Sequence, residues 1–361
     1  MMDSNDTQLQ FNFIIPNRSS TDVRQADPHI SMSAQTTAEA LAYVVIMFLS
    51  VFGNGLVLVV LKKNIGGQMR STRNYLLTSM AAIDLLVTIG SMPERLTRAL
   101  TNDQWLIEGF LGVTLCKVTN FFEKLSFSVS TLNIVLIAMD RFLAILFPLK
   151  KFFTIPRARV AIAMVWFSSA LYCSPVLYYG GLLREQGRTL CKVRRFFPNW
   201  RAWYLVFLAQ LLSSLILVLL LYAFIINKLL RRPSRYRTGL ARADSLATNT
   251  STREAKINRK VLKMVAAILI AFYVCFLPYW LGWVFCSYHY SKFICNDTYI
   301  FIAIYLSYAN SSLNPLIYCA FSENFRNAFR LFVTKRCRPT GSGQKRRVAP
   351  QQSMGKEDQD L

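Results

Sequence analysis

Seven blocks of apolar residues, each about as long as a membrane is thick, constrain this chain more than any other feature. They run over about Ala40–Leu61, Asn74–Pro93, Val118–Met139, Val160–Tyr179, Ala202–Asn227, Val261–Cys286 and Thr298–Phe321. A soluble domain disperses its apolar residues at helix or strand period. A run of about 20 apolar residues instead suits a helix crossing a bilayer, where every backbone N–H and C=O must be satisfied within the segment. The expectation is an all-α membrane protein, a bundle of seven transmembrane helices. No paired internal repeat of the kind that builds many transporters is visible.

Between the blocks the chain is strongly basic. Lys and Arg number 42 against 19 Asp and Glu, a formal net charge of +23. Nucleic-acid binding would concentrate such charge in one patch. Here the basic residues flank apolar spans, as loops on the cytoplasmic side do. Lys62, Lys63, Arg70 and Arg73 follow the first span, and the long segment Lys228–Lys260 is rich in Arg and Lys. The N-terminus is therefore expected outside the cell and the C-terminus inside, with the chain multi-pass in the plasma membrane. The leader is polar up to Ala40, unlike a signal peptide. Its sequons at Asn5 and Asn17 are candidate glycosylation sites. The expected divisions are an extracellular segment 1–39, a membrane domain 40–321, an amphipathic helix 322–335 and a cytoplasmic tail 336–361. One loop runs against the charge rule. Residues 180–201 carry Arg184, Arg188, Lys192, Arg194, Arg195 and Arg201, yet the count of spans places them outside. Either the rule tolerates a late basic loop, or the loop attracts an anionic ligand.

The third span, from Cys116 to Pro148, behaves as a rod. Glu123 and Arg141 lie 18 residues apart, about five turns on one helix face and about 27 Å along the axis. One face thus carries an acid near one membrane surface and an arginine at the other. Cys116 and Cys191 both fall on the outer, oxidising side, where a disulfide persists. It would tie the basic loop to the top of this rod. Cys286 and Cys295 are placed for a second, local bridge. No CxxC or Cys/His cluster offers a metal site.

Polar residues inside apolar spans need partners. Asp84 sits mid-span, with Asn54, Ser130, Asn310, Ser311 and Asn314 as candidate neighbours. Such a carboxylate is either protonated within a hydrogen-bond network or part of an oxygen-rich pocket for a hard cation such as sodium. Pro278 and Pro315 each remove a backbone donor, and each favours a kink in its helix.

In order along the chain stand Gly53-Asn54, Ala82-Ile83-Asp84-Leu85-Leu86, Asp140-Arg141-Phe142, Pro148-Leu149, Trp166, Cys275-Phe276-Leu277-Pro278 and Asn314-Pro315-Leu316-Ile317-Tyr318. This ordered set resembles the rhodopsin-like (class A) G-protein-coupled receptors over roughly residues 40–335. The resemblance implies that Arg141 engages a heterotrimeric G protein when the sixth helix swings outward, and that Asp140 restrains Arg141 at rest. Pro148 marks the loop that follows. Tyr222 and Tyr318 would stabilise the active arrangement. Phe272, Phe276 and Pro278 would form the switch beneath the ligand. Asp84, Asn54, Ser130, Asn310, Ser311 and Asn314 would form the family's sodium pocket. Arrestin, a receptor kinase and membrane lipid are implied partners. Glu323–Phe332, with Phe325, Phe329 and Phe332 at helical spacing, looks like an amphipathic helix on the inner leaflet. Cys337 beyond it is either a palmitoylation site or a free cytosolic thiol.

Four positions depart from the family pattern. Phe142 replaces a tyrosine and Phe276 a tryptophan. Ser213-Ser214 stands where a proline is usual, and Asn258 stands where many members have an acid that pairs with Arg141. Glu123 occupies the position at which amine receptors carry Asp, and would pair with a protonated amine. Lys124, Glu94 and Arg95 nearby bring both signs of charge, which suits a peptide better. Phe127, Phe276, Tyr279, Trp280, Trp283 and Tyr308 are expected either to line the cavity or to pack between helices. Phe196, Phe197 and Trp200 in the basic loop would receive an amphipathic peptide with acidic groups. The expected function is therefore a receptor for a peptide. The alternatives are an amine receptor using Glu123 and an ion-coupled transporter using Asp84. No enzyme is expected, because His29 and His289 lie in polar segments apart from any nucleophile.

Overall fold

A computed structural model describes residues 33–63, 71–101, 103–147, 152–185, 187–230, 245–288 and 294–337. Asn5, Asn17 and Pro148 lie outside them. The elements are α1 (Ala34–Lys62), α2 (Thr72–Gly90), α3 (Met92–Leu100), α4 (Gly109–Leu146), α5 (Ile155–Cys173) and α6 (Pro175–Tyr179). After them come β1 (Gly181–Glu185), β2 (Arg188–Lys192), α7 (Trp200–Leu230), α8 (Ser245–Tyr288), α9 (Asp297–Phe321) and α10 (Glu323–Cys337). Seven spans are long and apolar enough to cross a membrane, α2 with α3 and α5 with α6 each forming one of them. Side-chain caps start several helices: Ser33, Ser71 and Asn296 each accept a hydrogen bond from a backbone N–H three residues on.

The burial pattern inverts that of a soluble bundle. On α1, Leu41, Val44, Val45, Phe48 and Phe52 face outward, while Ser50 and Asn54 are buried. Only a hydrocarbon surround makes that arrangement favourable. α4 is the hub: it packs on α2, α5, α6, α7, α8 and both strands. α9 packs against α8 and α1. Cross-helix hydrogen bonds pin the centre. Ser79 Oγ accepts from Asn133 Nδ2 at 3.0 Å and from Trp166 Nε1 at 2.8 Å, joining α2, α4 and α5.

Several boundaries differ from expectation. The stretch 94–117, between the expected second and third spans, is helix up to Leu100 and again from Gly109. The reason is Pro93. It occupies the first turn of α3, where a missing N–H costs no helical bond, so it restarts the helix after the break at Ser91. Ser91 Oγ donates to the Thr119 carbonyl at 2.6 Å, anchoring that break to α4. Pro175 does the same for α6 after Ser174. The sixth span's helix continues back to Ser245, taking in the Ser/Thr run read as loop.

The basic loop contains an antiparallel hairpin, with Leu182 opposite Cys191 and Gly187 at positive φ in its turn. The Cys116–Cys191 disulfide fixes it to α4, and Cys286–Cys295 closes the segment between α8 and α9. Trp105 N donates to the Thr189 carbonyl at 2.7 Å. Glu108 accepts from Thr189 Oγ1 at 2.6 Å and from Arg184 at 3.0 Å. At the opposite end, Arg326 donates to the carbonyls of Cys319 and Ala320, at 3.1 and 2.8 Å. It thereby caps α9 with α10, whose Phe325 packs on Tyr318.

Two predictions follow from this packing. A Cβ at Gly53 would lie 2.8 Å from the Pro315 ring, whereas one at Gly55 meets nothing within 4 Å. Gly53→Ala should therefore destabilise the purified protein by about 1–2 kcal/mol through overpacking against α9. Gly55→Ala should be neutral or stabilising by up to about 1 kcal/mol; paired thermal unfolding curves check both. Separately, the Thr189 hydroxyl and the Arg184 guanidinium hold the Glu108 carboxyl below its usual range. A lowered native pKa gives stability that is present above the ordinary carboxylate range and lost as pH falls through the native value. The wild type should lose slightly more thermal stability on acidification than Glu108→Gln does.

Candidate functional site

At the hairpin end of the bundle, charged side chains from α3 and α4 meet. Glu123 Oε2 accepts from Arg95 Nη2 at 2.5 Å and from the Tyr308 hydroxyl at 2.9 Å. Its Oε1 receives Lys124 Nζ at 2.5 Å. Lys124 also reaches the Tyr279 hydroxyl at 3.3 Å, and lies 5.2 and 5.6 Å from the ring centres of Tyr204 and Tyr279. Arg95 Nε donates to Tyr308 at 3.1 Å. In this way one acid ties α3, α4 and α9 together, and its lysine neighbour extends the contact to α7 and α8.

The network continues toward the hairpin. Glu94 pairs with Arg98 at 2.9 Å, Arg98 with Asp103 at 2.5 Å, and Asp103 with Lys192 at 3.3 Å. Arg98 also donates to the Cys191 carbonyl at 3.4 Å. Burial holds the Lys192 ammonium below its usual range, against the pull of Asp103. Arg194 stacks on Trp200 and Tyr204, at 4.8 and 4.7 Å.

The aromatic candidates divide. Tyr279 and Tyr308 belong to the polar network. Phe127 packs on Phe276 at 5.0 Å and on Trp280 at 5.2 Å, and Trp283 on Tyr204 at 5.4 Å. Trp280 and Trp283 are 2% and 0% exposed, and Phe127 and Phe276 are also buried. Phe127, Phe276 and Trp280 form a packed floor beneath the charged layer, and Trp283, a turn outward of Tyr279, packs beside that layer against Tyr204. Phe272 continues the floor, 4.7 Å from Phe276.

Deeper in the bundle, Asp84 Oδ2 accepts from Asn314 Nδ2 at 2.8 Å, and Asn54 Nδ2 donates to the Ser311 carbonyl at 2.8 Å. Ser130 and Asn310 are buried on α4 and α9. Asp84 Oδ1 and Asn54 Oδ1 are buried without a hydrogen-bond partner among the described residues. At the far end Arg141 is ion-paired with Asp140. The Tyr222 hydroxyl there is buried and has no partner among the described residues, and Tyr318 reaches Met80 Sδ at 4.0 Å. Pro278 lies within α8, its carbonyl accepting from Tyr299 at 2.9 Å, and Pro315 lies within α9. Cys337 ends α10.

Two participants escaped the sequence reading. Arg95 was noted near the site but not counted in it, because Pro93 was read as a helix stop. Its spacing of 11 from Asp84, about three turns, was the available signal. Tyr273, bonded at 3.1 Å to Ser214 between α7 and α8, gave no signal, since the pairing joins residues 59 positions apart.

The model of the 7 transmembrane receptor (rhodopsin family) matches residues 53–318. Among curated proteins, the chain is 28% identical over 314 residues to the tachykinin-like peptides receptor 86C of Drosophila melanogaster, covering 84% of this chain and 60% of that one. It is 30% identical over 321 residues to human neuropeptide FF receptor 1, covering 83% and 71% respectively. It is 29% identical over 295 residues to mouse galanin receptor type 2, covering 80% and 74%. With the seven spans, the hub helix and its Asp140-Arg141 pair in place, and the match running from within α1 to near the end of α9, the chain belongs to the rhodopsin family of seven-transmembrane receptors, which signal and are not enzymes.

Proposed function

We propose that this receptor binds an extracellular peptide and activates a heterotrimeric G protein by outward movement of α8. The observation that carries the peptide reading is the state of Glu123. An amine receptor needs an acid open to the ligand's ammonium. Here two cations and a tyrosine already hold that acid, within a charged layer that extends to the hairpin. A broad rim of mixed charge suits a ligand with many polar groups. The peptide receptors among the relatives support the same reading. The plasma membrane, with the N-terminus outside, is the corresponding location, and arrestin, a receptor kinase and the inner-leaflet lipid are the corresponding partners. Asn5 and Asn17 would carry glycans and Cys337 a palmitoyl chain.

Transmission runs through the packed floor. Movement at Tyr279 or Trp280 would press Phe276 and Phe272, and the kink at Pro278 would convert that into a swing of the inner half of α8. Release of Arg141 from Asp140 would then free it for the G protein, with Tyr222 and Tyr318 holding the new arrangement. Asp84 and Asn54 each offer an unsatisfied oxygen, which fits a hard cation such as sodium. Ser130, Asn310, Ser311 and Asn314 would complete that pocket, and the bound ion would supply positive charge that holds the helices in the resting arrangement.

The direct test is guanine-nucleotide exchange on purified G proteins, driven by peptide and amine libraries. Activation by a peptide is the expected result; activation by amines alone would overturn the reading. A second prediction concerns rest. Ser214 takes the place of the usual proline and bonds Tyr273, tying α7 to α8. A buried hydrogen bond contributes about 1 kcal/mol, and losing it shifts a two-state equilibrium several-fold. Tyr273→Phe and Ser214→Ala should each raise ligand-free exchange several-fold, while the exposed Ser213→Ala should not. The wild type itself should exchange above an empty-membrane control, because Asn258 supplies no acid to Arg141.

A further inference from the structure

The layer around Glu123 is rich in donors and short of acceptors. Over the linked ion pairs, four cations (Arg95, Arg98, Lys124 and Lys192) meet three carboxylates (Glu94, Asp103 and Glu123). Glu94 and Asp103 serve the hairpin side. Glu94 also reaches Arg95 Nε, at 3.6 Å, but only Glu123 lies between Arg95 and Lys124, each 2.5 Å from one of its two oxygens. Lys124 is 8% exposed and cannot turn to water, being boxed by Tyr204 and Tyr279. Beyond Tyr204, the indole N–H groups of Trp280 and Trp283 are buried with no acceptor among the described residues. Tyr204 touches both rings, at 6.0 and 5.4 Å between centres. Unpartnered buried donors are costly, and they point to an acceptor brought from outside.

We propose that Arg95 and Lys124 form an anion subsite, that Glu123 is its resident placeholder, and that the ligand is a peptide which inserts a carboxylate between these two cations. This rests on the peptide reading above and narrows it. A guanidinium and an ammonium on opposite sides of one carboxylate match the geometry that recognises an incoming carboxylate. The incoming group takes one or both cations from Glu123. The released Glu123 loses its ties to α3 and α9, and the aromatic wall of α7 and α8 around Lys124 must readjust. Exchange of one acid for another keeps the cations paired throughout, and the displaced Glu123 carboxylate must take up a proton or a polar group of the ligand to avoid being left alone. The carboxylate could be the peptide's C-terminus or an Asp or Glu side chain; the chemistry of recognition is the same.

Two arms test this, the first without any peptide. Purified Glu123→Ala receptor should unfold at lower temperature than the wild type in sodium chloride. Sodium acetate at equal ionic strength should restore part of the loss, and should do nothing for Glu123→Ala/Lys124→Gln. Glu123→Ser, which also leaves room for acetate between the two cations, serves in its place if the alanine variant does not fold. Equal stability in acetate and chloride would overturn the anion subsite. In the second arm, each library peptide is made as free acid and as C-terminal amide, and with its Asp and Glu replaced by Asn and Gln. Active peptides should lose about tenfold or more in potency when one particular carboxylate is neutralised, equivalent to about 1.4 kcal/mol. Lys124→Gln should erase that difference. Active peptides indifferent to every carboxylate would sink the subsite and leave the peptide receptor standing. Acetate rescue with no active peptide would keep the subsite and sink the peptide reading.

Discussion

Hydrocarbon offers a backbone no hydrogen-bond partner, and every feature of this molecule follows from that. Each span must close its own N–H and C=O groups, so each becomes a helix. Apolar side chains gain nothing by hiding from lipid, so they face it, as Phe48, Phe52, Phe167 and Phe224 do. Groups that lipid would penalise have to go to the interior, among the packed apolar side chains there. Ser50, Asn54, Asp84, Asn133, Asn310 and Asn314 all turn inward and are buried. Helix association then depends on finding partners for them, and the Ser79–Asn133–Trp166 and Asp84–Asn314 contacts are where partners are found.

The same rule explains how charge is tolerated at the hairpin end. Glu94, Arg95, Glu123 and Lys124 lie on helices long enough to enter the bilayer. Each is held by an opposite charge or a tyrosine. The cluster spans α3, α4, α7, α8 and α9, so one set of electrostatic contacts joins the elements whose relative position a ligand would change. Below it the aromatic floor carries no charge, and below that Asp84 and its amide neighbours form a second polar layer. Arg141 with Asp140 forms a third. Polar layers separated by packed aromatic and aliphatic ones give the bundle discrete points at which it can rearrange, with α4 passing through all of them.

How much of this was legible varies by residue. The spans and the inward turn of Asp84 were readable from hydropathy, the two disulfides from the outer side that their cysteines share, and the Asp140-Arg141 pair from the resemblance to the receptor family. The kink at Pro93 was read as an end, since proline stops a helix in the middle but begins one in its first turn. The hairpin was read as an unstructured basic loop. Its short strands alternate weakly, and it is held in place by Cys116, Trp105 and Glu108, which come from elsewhere in the chain. Trp280 and Trp283 were open between lining and packing, and burial decided for packing.

What the sequence determined by itself is the number of spans, their helical form and the type of chemistry each carries, because a twenty-residue apolar run has one low-energy answer in lipid. What the tertiary structure decided is which charges meet. That Arg95 and Lys124 share Glu123, and that Ser214 finds Tyr273, depends on the rotation and tilt of separate helices. Those are set by packing of side chains distant in the chain, and Coulomb and hydrogen-bond energies fall too steeply with distance for one-dimensional spacing to foretell them.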